Sequence, residues 1–139
     1  MNIRELKDPS DIKSILEQRK VEYVKVGITD IDGVLRGKYM HIGKFLKAIQ
    51  EGFRFCDVIF GWDIADELYS TESSKRKESF TGWHTGYPDL TAKIIVDSVR
   101  DIPFEDNVPF FLAELEEGEV CPRSLLKRIL SKLQSFGLK

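Results

Sequence analysis

Residues 21–52 constrain the fold more than any other stretch, because the spacing of apolar side chains changes within them from strand-like to helix-like. Val24, Val26 and Ile28 alternate with Lys25 and Gly27, the period of two that lays one face of a strand on a core. Asp30-Ile31-Asp32-Gly33 is a turn signal, since Gly33 accepts positive φ cheaply, and residues 34–42 read as the returning strand. Gly43 then opens a helix with Phe45, Leu46 and Ile49 on one face, and Gly52 stands where a left-handed C-terminal cap is expected. A hairpin followed at once by an amphipathic helix predicts that the helix packs on the hairpin, burying both apolar faces together.

The flanking sequence extends this core. Ser10 is a candidate cap for a short helix carrying Asp11 in its first turn and Ile12, Ile15 and Leu16 on one face, ending near Lys20. Residues 53–60 are apolar on both faces, as in a strand inside a sheet, and Gly61 and Trp62 end the run. Residues 64–82 turn polar around Lys75-Arg76-Lys77 and predict a long mobile loop. Residues 91–99 and 108–115, the latter with Pro109 near its start, predict two further strands. Pro122 fits the first position of a last helix, with Leu125, Leu126, Ile129, Leu130 and Leu133 as its stripe and Gly137 as its end. From Glu105 to Glu119 every charged residue is acidic, and from Val120 to Lys139 every one is basic. The sequence stops just past this helix, as a domain cut from a longer protein would. The order of elements is that of an α+β fold, a β-grasp-like mixed sheet packed on a helix with flanking N- and C-terminal helices.

Composition bounds the function. With 139 residues and 42% hydrophobic content the chain supports one core without metal or disulfide staples. A formal charge of -2 argues against the basic face that phosphate-dominated nucleic-acid binding needs. No run approaches the roughly 20 apolar residues of a membrane span, and the polar opening lacks the core of a signal peptide. Two cysteines, Cys56 and Cys121, without CxxC spacing, suit a reducing cytoplasm. The expected setting is therefore soluble and cytoplasmic, with neither nucleic acid nor membrane as partner.

Chemistry-bearing candidates are few. His41 and His84 lack a second histidine at ligand spacing, so no metal site is predicted. Gly33, Gly37 and Gly43 fit neither of the common phosphate-loop patterns and read as turn glycines, and the basic triplet reads as a solvated segment. Asp63 stands out, directly after Phe60-Gly61-Trp62 and before the polar loop, where a scaffold presents groups to loops. Composition alone favours reading it as a turn or capping aspartate, since Asp is common at such ends.

Word-level similarity adds a family. Residues 24–38, from Val24-Lys25-Val26 through Asp30-Ile31-Asp32-Gly33 to Arg36-Gly37-Lys38, resemble the opening hairpin of the glutamine synthetase family, most of all the branch with γ-glutamylpolyamine synthetases. Phe60-Gly61-Trp62-Asp63-Ile64, Tyr87-Pro88-Asp89-Leu90 and Cys121-Pro122-Arg123-Ser124 resemble later segments of that family in the same order. The resemblance implies a division into an N-terminal helix (1–20), a β-grasp domain of glutamine synthetase type (21–120) and a helix leading to an absent C-terminal catalytic domain (121–139). It implies a full-length ligase that uses ATP and Mg2+ or Mn2+ to join glutamate to ammonia or another amine, assembled as a homo-oligomeric ring. In that family the small domain covers the neighbouring subunit's active site, and its aspartate, matched here by Asp63, binds and deprotonates the amine that attacks γ-glutamyl phosphate. No cofactor is expected in this chain by itself, which should be inactive alone.

Two departures accompany the resemblance. Ile64-Ala65-Asp66-Glu67-Leu68-Tyr69 replaces the small-residue run and Trp of typical bacterial members, leaving the amine open, and Cys121 stands where the family often has Asp. A stand-alone β-grasp interaction module, binding through its sheet edge or its acidic segment, and a family member retained for structure alone remain the alternative readings.

Overall fold

The sheet grows outward from the hairpin. In the computed structural model, which describes residues 8–69, 81–115 and 122–137, β1 (Tyr23–Thr29) pairs antiparallel with β2 (Leu35–His41), Gly27 opposite Gly37. Helix α2 (Ile42–Glu51) follows directly, then β3 (Phe53–Cys56), β4 (Asp89–Ile102) and β5 (Val108–Leu115). Helices α1 (Pro9–Gln18) and α3 (Pro122–Ser135) flank the sheet, as the α+β expectation has it. Strand order is β2-β1-β5-β4-β3, with β1 and β5 parallel and every other neighbour antiparallel. Among the described residues no helix is long and apolar enough to cross a membrane.

One face of this sheet carries the core. Val24, Val26 and Ile28 of β1 and Phe111, Ala113 and Leu115 of β5 are buried on the period of two. Phe45 and Ala48 of α2 and Ile12, Ile15 and Leu16 of α1 close over them, so α1 shares the sheet's core. Phe45 and Phe111 touch with ring centroids 4.6 Å apart. Burial of such side chains contributes roughly 1.5–3 kcal/mol each.

Several boundaries differ from the sequence reading for identifiable reasons. The cap of α1 is Asp8, whose Oδ1 accepts from the Ser10 amide at 2.8 Å and hydroxyl at 2.6 Å, while Pro9 takes the position where a missing N–H costs nothing. Strand β3 ends at Cys56, and residues expected to continue it form the 3-10 turn Asp57–Phe60. The ladder stops because its next partner past Asp89 is Pro88, which has no N–H; its carbonyl instead accepts from the Asp57 amide at 3.1 Å. Strand β4 outruns its expected 91–99 through an irregularity between Ile95 and Arg100, where the Ser98 hydroxyl donates to the Ile95 carbonyl and accepts from the Leu112 amide at 2.8 Å. Gly52 has φ of 78° and ψ of -176°, so it is positive in φ without being left-handed helical; a Cβ there would stand 2.8 Å from the Ala92 carbonyl oxygen.

The far face and the edges are held by charge. Lys25 donates to both oxygens of Glu105 at 2.6 and 2.7 Å, and the Tyr39 hydroxyl donates to Oε2 at 2.5 Å, fastening the β4–β5 turn to the hairpin. Hydrogen bonds from the Lys25 ammonium first, and from Tyr39 next, hold the Glu105 carboxyl below its ordinary value. Lys38 of β2 stands over the rings of Phe53 and Phe55 in β3, 5.3 and 5.2 Å from their centroids, so the two edge strands of the curled sheet approach each other. Lys127 of α3 pairs with Glu114 of β5 at 2.8 Å, while Leu126, Ile129, Leu130 and Leu133 stay 43–66% exposed. Most of the loop expected over 64–82 lies outside the described residues.

Two outcomes follow. A Cβ on Gly37 would lie 2.3 Å from the Val26 carbonyl oxygen, so Gly37→Ala must push paired backbone apart and should lower stability by about 1–3 kcal/mol in urea titration. Because folding lowers the Glu105 pKa, its pair stabilises the fold above the ordinary 4.5 and loses that effect as pH falls through the lower folded value. Glu105→Gln should therefore be less stable than the parent at neutral pH, with the gap closing below about pH 4.5 in pH-dependent melts.

Candidate functional site

Asp63 lies past the end of a 3-10 turn rather than at a strand end, because β3 has already left the sheet. Residues 61–69 fold back on themselves: Trp62 and Leu68 form a bridge, Tyr69 N–H donates to the Gly61 carbonyl at 2.9 Å, and Asp63 N–H to the Glu67 carbonyl at 2.9 Å. The tip of this small loop is organised by Asp63 itself. Its Oδ1 accepts from the amides of Ala65 and Glu67 at 2.8 and 3.0 Å, the local bonding that makes aspartate a turn former. Asp66 takes positive φ of 66°, which an Asp tolerates better than most residues. Among the described residues Oδ2 of the half-buried Asp63 carries no hydrogen bond.

The loop is fastened to the hairpin by Arg36. Its Nε donates to Oδ2 of Asp30 at 2.8 Å, its Nη2 to the Asp63 carbonyl at 3.0 Å, and its Nη1 to the Asp66 carboxylate. The guanidinium also lies over the Trp62 ring, 5.4 Å from its centroid. The hydrogen bond to Asp30, and then that to Asp66, push the Arg36 pKa up from an already high value. Asp30 is wholly buried, and its Oδ1 accepts from the Asp32 and Val34 amides at 3.0 and 2.8 Å. The turn signal read in Asp30-Ile31-Asp32-Gly33 is thus also an anchor for the site. A second tie joins Tyr69 hydroxyl to Oδ2 of Asp32 at 3.2 Å; burial and this bond raise the Tyr69 pKa.

Other candidates fall elsewhere. Nδ1 of His41 accepts from the Gly43 amide at 3.2 Å, capping α2. The Cys56 thiol points to the Tyr87 carbonyl at 3.5 Å, a structural contact. Lys75-Arg76-Lys77 and Cys121 lie outside the described residues. Among the described residues no group of three or more His, Cys, Asp or Glu is arranged to hold a metal ion, and Arg36 occupies the place a cation would take between Asp30 and Asp66. The Asp30–Arg36–Asp66 cluster therefore does not fit Mg2+ or Mn2+. What sequence reasoning missed is the pairing of Asp30 with Arg36. Its signal was present in the turn acid and the Arg-Gly-Lys word, but which carboxylate the arginine reaches is a matter of tertiary folding.

Removing Asp30 strands Arg36 and two backbone amides, so Asp30→Ala should cost about 3 kcal/mol or more. Asp66 is 59% exposed in its side chain, so Asp66→Ala should leave the unfolding midpoint nearly unchanged. Urea titrations of the two variants check the contrast.

No protein-family model matches the chain. Whole sequences do. Type-1 glutamine synthetase 2 of Dictyostelium discoideum is 44% identical over 126 residues, covering 85% of this chain and 23% of that protein. The glutamate–isopropylamine ligase of a Pseudomonas species is 31% identical over 134 residues, 92% of this chain and 28% of its own. Gamma-glutamylputrescine synthetase PuuA of Escherichia coli K12 is 28% identical over 138 residues. The chain thus spans about a quarter of the length of the curated relatives it matches. Among solved structures, the cryoEM glutamine synthetase of Plasmodium falciparum superimposes with a TM-score of 0.64 at 16% identity, over 99% of this chain and 24% of that one. GmaS in complex with ADP gives 0.62 at 20% identity, over 90% of this chain and 26% of that one. By sequence and by fold, the chain is a homologue of the glutamine synthetase and γ-glutamylpolyamine synthetase family, matching the region of its N-terminal domain.

Proposed function

We propose that this chain is the N-terminal domain of a cytoplasmic, ATP-dependent ligase of glutamine synthetase type, which joins glutamate to ammonia or another amine. In this reading α3 leads from the domain, residues 21–120 with their N-terminal helix, to a catalytic domain beyond residue 139. The domain covers the active site of the neighbouring subunit in a homo-oligomeric ring. The observation that supports it is the Asp63 carboxylate, presented at the tip of a clamped turn with Oδ2 free of hydrogen bonds among the described residues, in a chain whose curated relatives are ligases of this class.

The chemistry follows from what an amine needs. At neutral pH ammonium and alkylammonium ions have no lone pair, so a carboxylate must first attract the cation and then accept a proton. Oδ2 of Asp63 is fitted to both tasks, while Oδ1 is held by two amides that fix the side chain's direction. ATP with its divalent metal supplies activation of the glutamate γ-carboxyl group, and the residues holding them would belong to the catalytic domain. Of the two extra acids after Asp63, Asp66 is engaged by Arg36, and Glu67 is exposed beside the turn.

Asp63→Asn in the intact protein tests the assignment. It keeps shape but removes charge and basicity, so amine-dependent turnover should fall by roughly a hundredfold or more with little change in melting temperature. Glutamate-dependent phosphate release from ATP should survive better than amide formation. A merely structural aspartate gives the reverse, a lower melting temperature with turnover preserved in the folded fraction.

A further inference from the structure

We propose that Arg36 is the positioning residue of the site: it sets the place of the Asp63 turn and directs the incoming cation to Asp63 rather than to Asp66. The inference rests on the reading of Asp63 as the carboxylate that meets the amine.

The three donors of one guanidinium go to three different places. Nε goes to Asp30 at the base of the hairpin turn, Nη2 to the main-chain carbonyl of Asp63, and Nη1 to Asp66 across the same turn. Asp30 gives this fork a rigid origin, because the carboxylate is wholly buried and its other oxygen is already spent on the amides of Asp32 and Val34. Asp63 is consequently gripped from both sides, its carbonyl by Arg36 and its Oδ1 by the amides of Ala65 and Glu67. The Trp62 ring, one residue earlier, lies against the same guanidinium. Neither end of the turn moves without breaking a charge-assisted bond.

The fork also sorts the charges. Asp30 and Asp66 are both compensated by Arg36, whereas Asp63 gives the guanidinium only its carbonyl. A cationic amine arriving at the turn therefore meets, on Asp63, a carboxylate oxygen without a hydrogen bond among the described residues, and an Asp66 whose charge is already paired with Arg36. Loss of the fork would both loosen Asp63 and release Asp66 as a competing, misplaced anion. Lysine cannot substitute, since a single ammonium on a flexible stem does not reproduce the planar fork across three acceptors.

The test uses the intact protein and three variants, Arg36→Lys, Asp66→Asn and Asp63→Asn, with KM for the amine and for glutamate measured separately. Positioning predicts that Arg36→Lys lowers kcat/KM for the amine by about ten- to a hundredfold, with the KM for glutamate unchanged. Asp66→Asn, which weakens one tine of the fork at an exposed residue, should lower it by a smaller factor and serves if the lysine variant fails to fold. A merely structural arginine changes both substrates' parameters in proportion to the folded fraction, and that result overturns the inference. If Asp63→Asn abolishes amine-dependent turnover while the folded Arg36→Lys and Asp66→Asn proteins keep the parent's amine KM and kcat, positioning fails and the reading of Asp63 stands. If Asp63→Asn leaves turnover unchanged, the reading of the site fails and the inference with it.

Discussion

Strands β1 and β5 run parallel at the centre of the sheet, and a parallel pair cannot be closed by a tight turn. Everything between them in the sequence has to serve as the crossover, and this requirement accounts for most of the architecture. The hairpin partner β2 goes to one side, and α2 crosses the core face. Strands β3 and β4 then fill the other side before β5 returns to β1. Phe45 on the crossover helix and Phe111 on β5 meet where this closure is made. Residues far apart in the sequence therefore share one core, and its stability is held largely by non-local contacts.

The site obeys a different economy. A carboxylate removed from water is costly unless its oxygens find donors, and Asp30 meets that need with two amides on one oxygen and a guanidinium nitrogen on the other. The same arginine then has two donors left on the side facing residues 61–69, and the loop is built onto them. The Asp63 turn is thus tied through Arg36 to a buried charge in a neighbouring turn. Nearby exposed acids acquire distinct environments although their chemistry is the same.

Much of this was legible in the sequence, and the rest failed for physical reasons. The period-two run at Val24, Val26 and Ile28, the Asp30–Gly33 turn and the stripe of α2 are local signals, and the structure follows them closely. The strand read over 53–60 illustrates the limit: Phe55, Val58 and Phe60 are apolar in either a strand or a buried 3-10 turn, and the decision falls to Pro88, a residue distant in sequence. Ser98 lies inside the strand read over 91–99, and nothing local shows that the register slips there or that its hydroxyl repairs the ladder. Asp63 stands out in the sequence by its neighbours, as a candidate only. Its clamp does not, since which of several acids receives Arg36 is decided only when the hairpin and the 61–69 loop come together.

The early end of β3 has a consequence for how the sheet can meet other chains. An unpaired sheet edge is a template on which a foreign strand can align, and long flat edges invite aggregation. Here the β3 edge is only four residues long before the chain turns into a 3-10 helix. The opposite edge, β2, carries Arg36 and Lys38, whose cations reach inward to the loop and to the rings of Phe53 and Phe55. Neither edge is a long, uncharged template, and strand addition is correspondingly disfavoured at both.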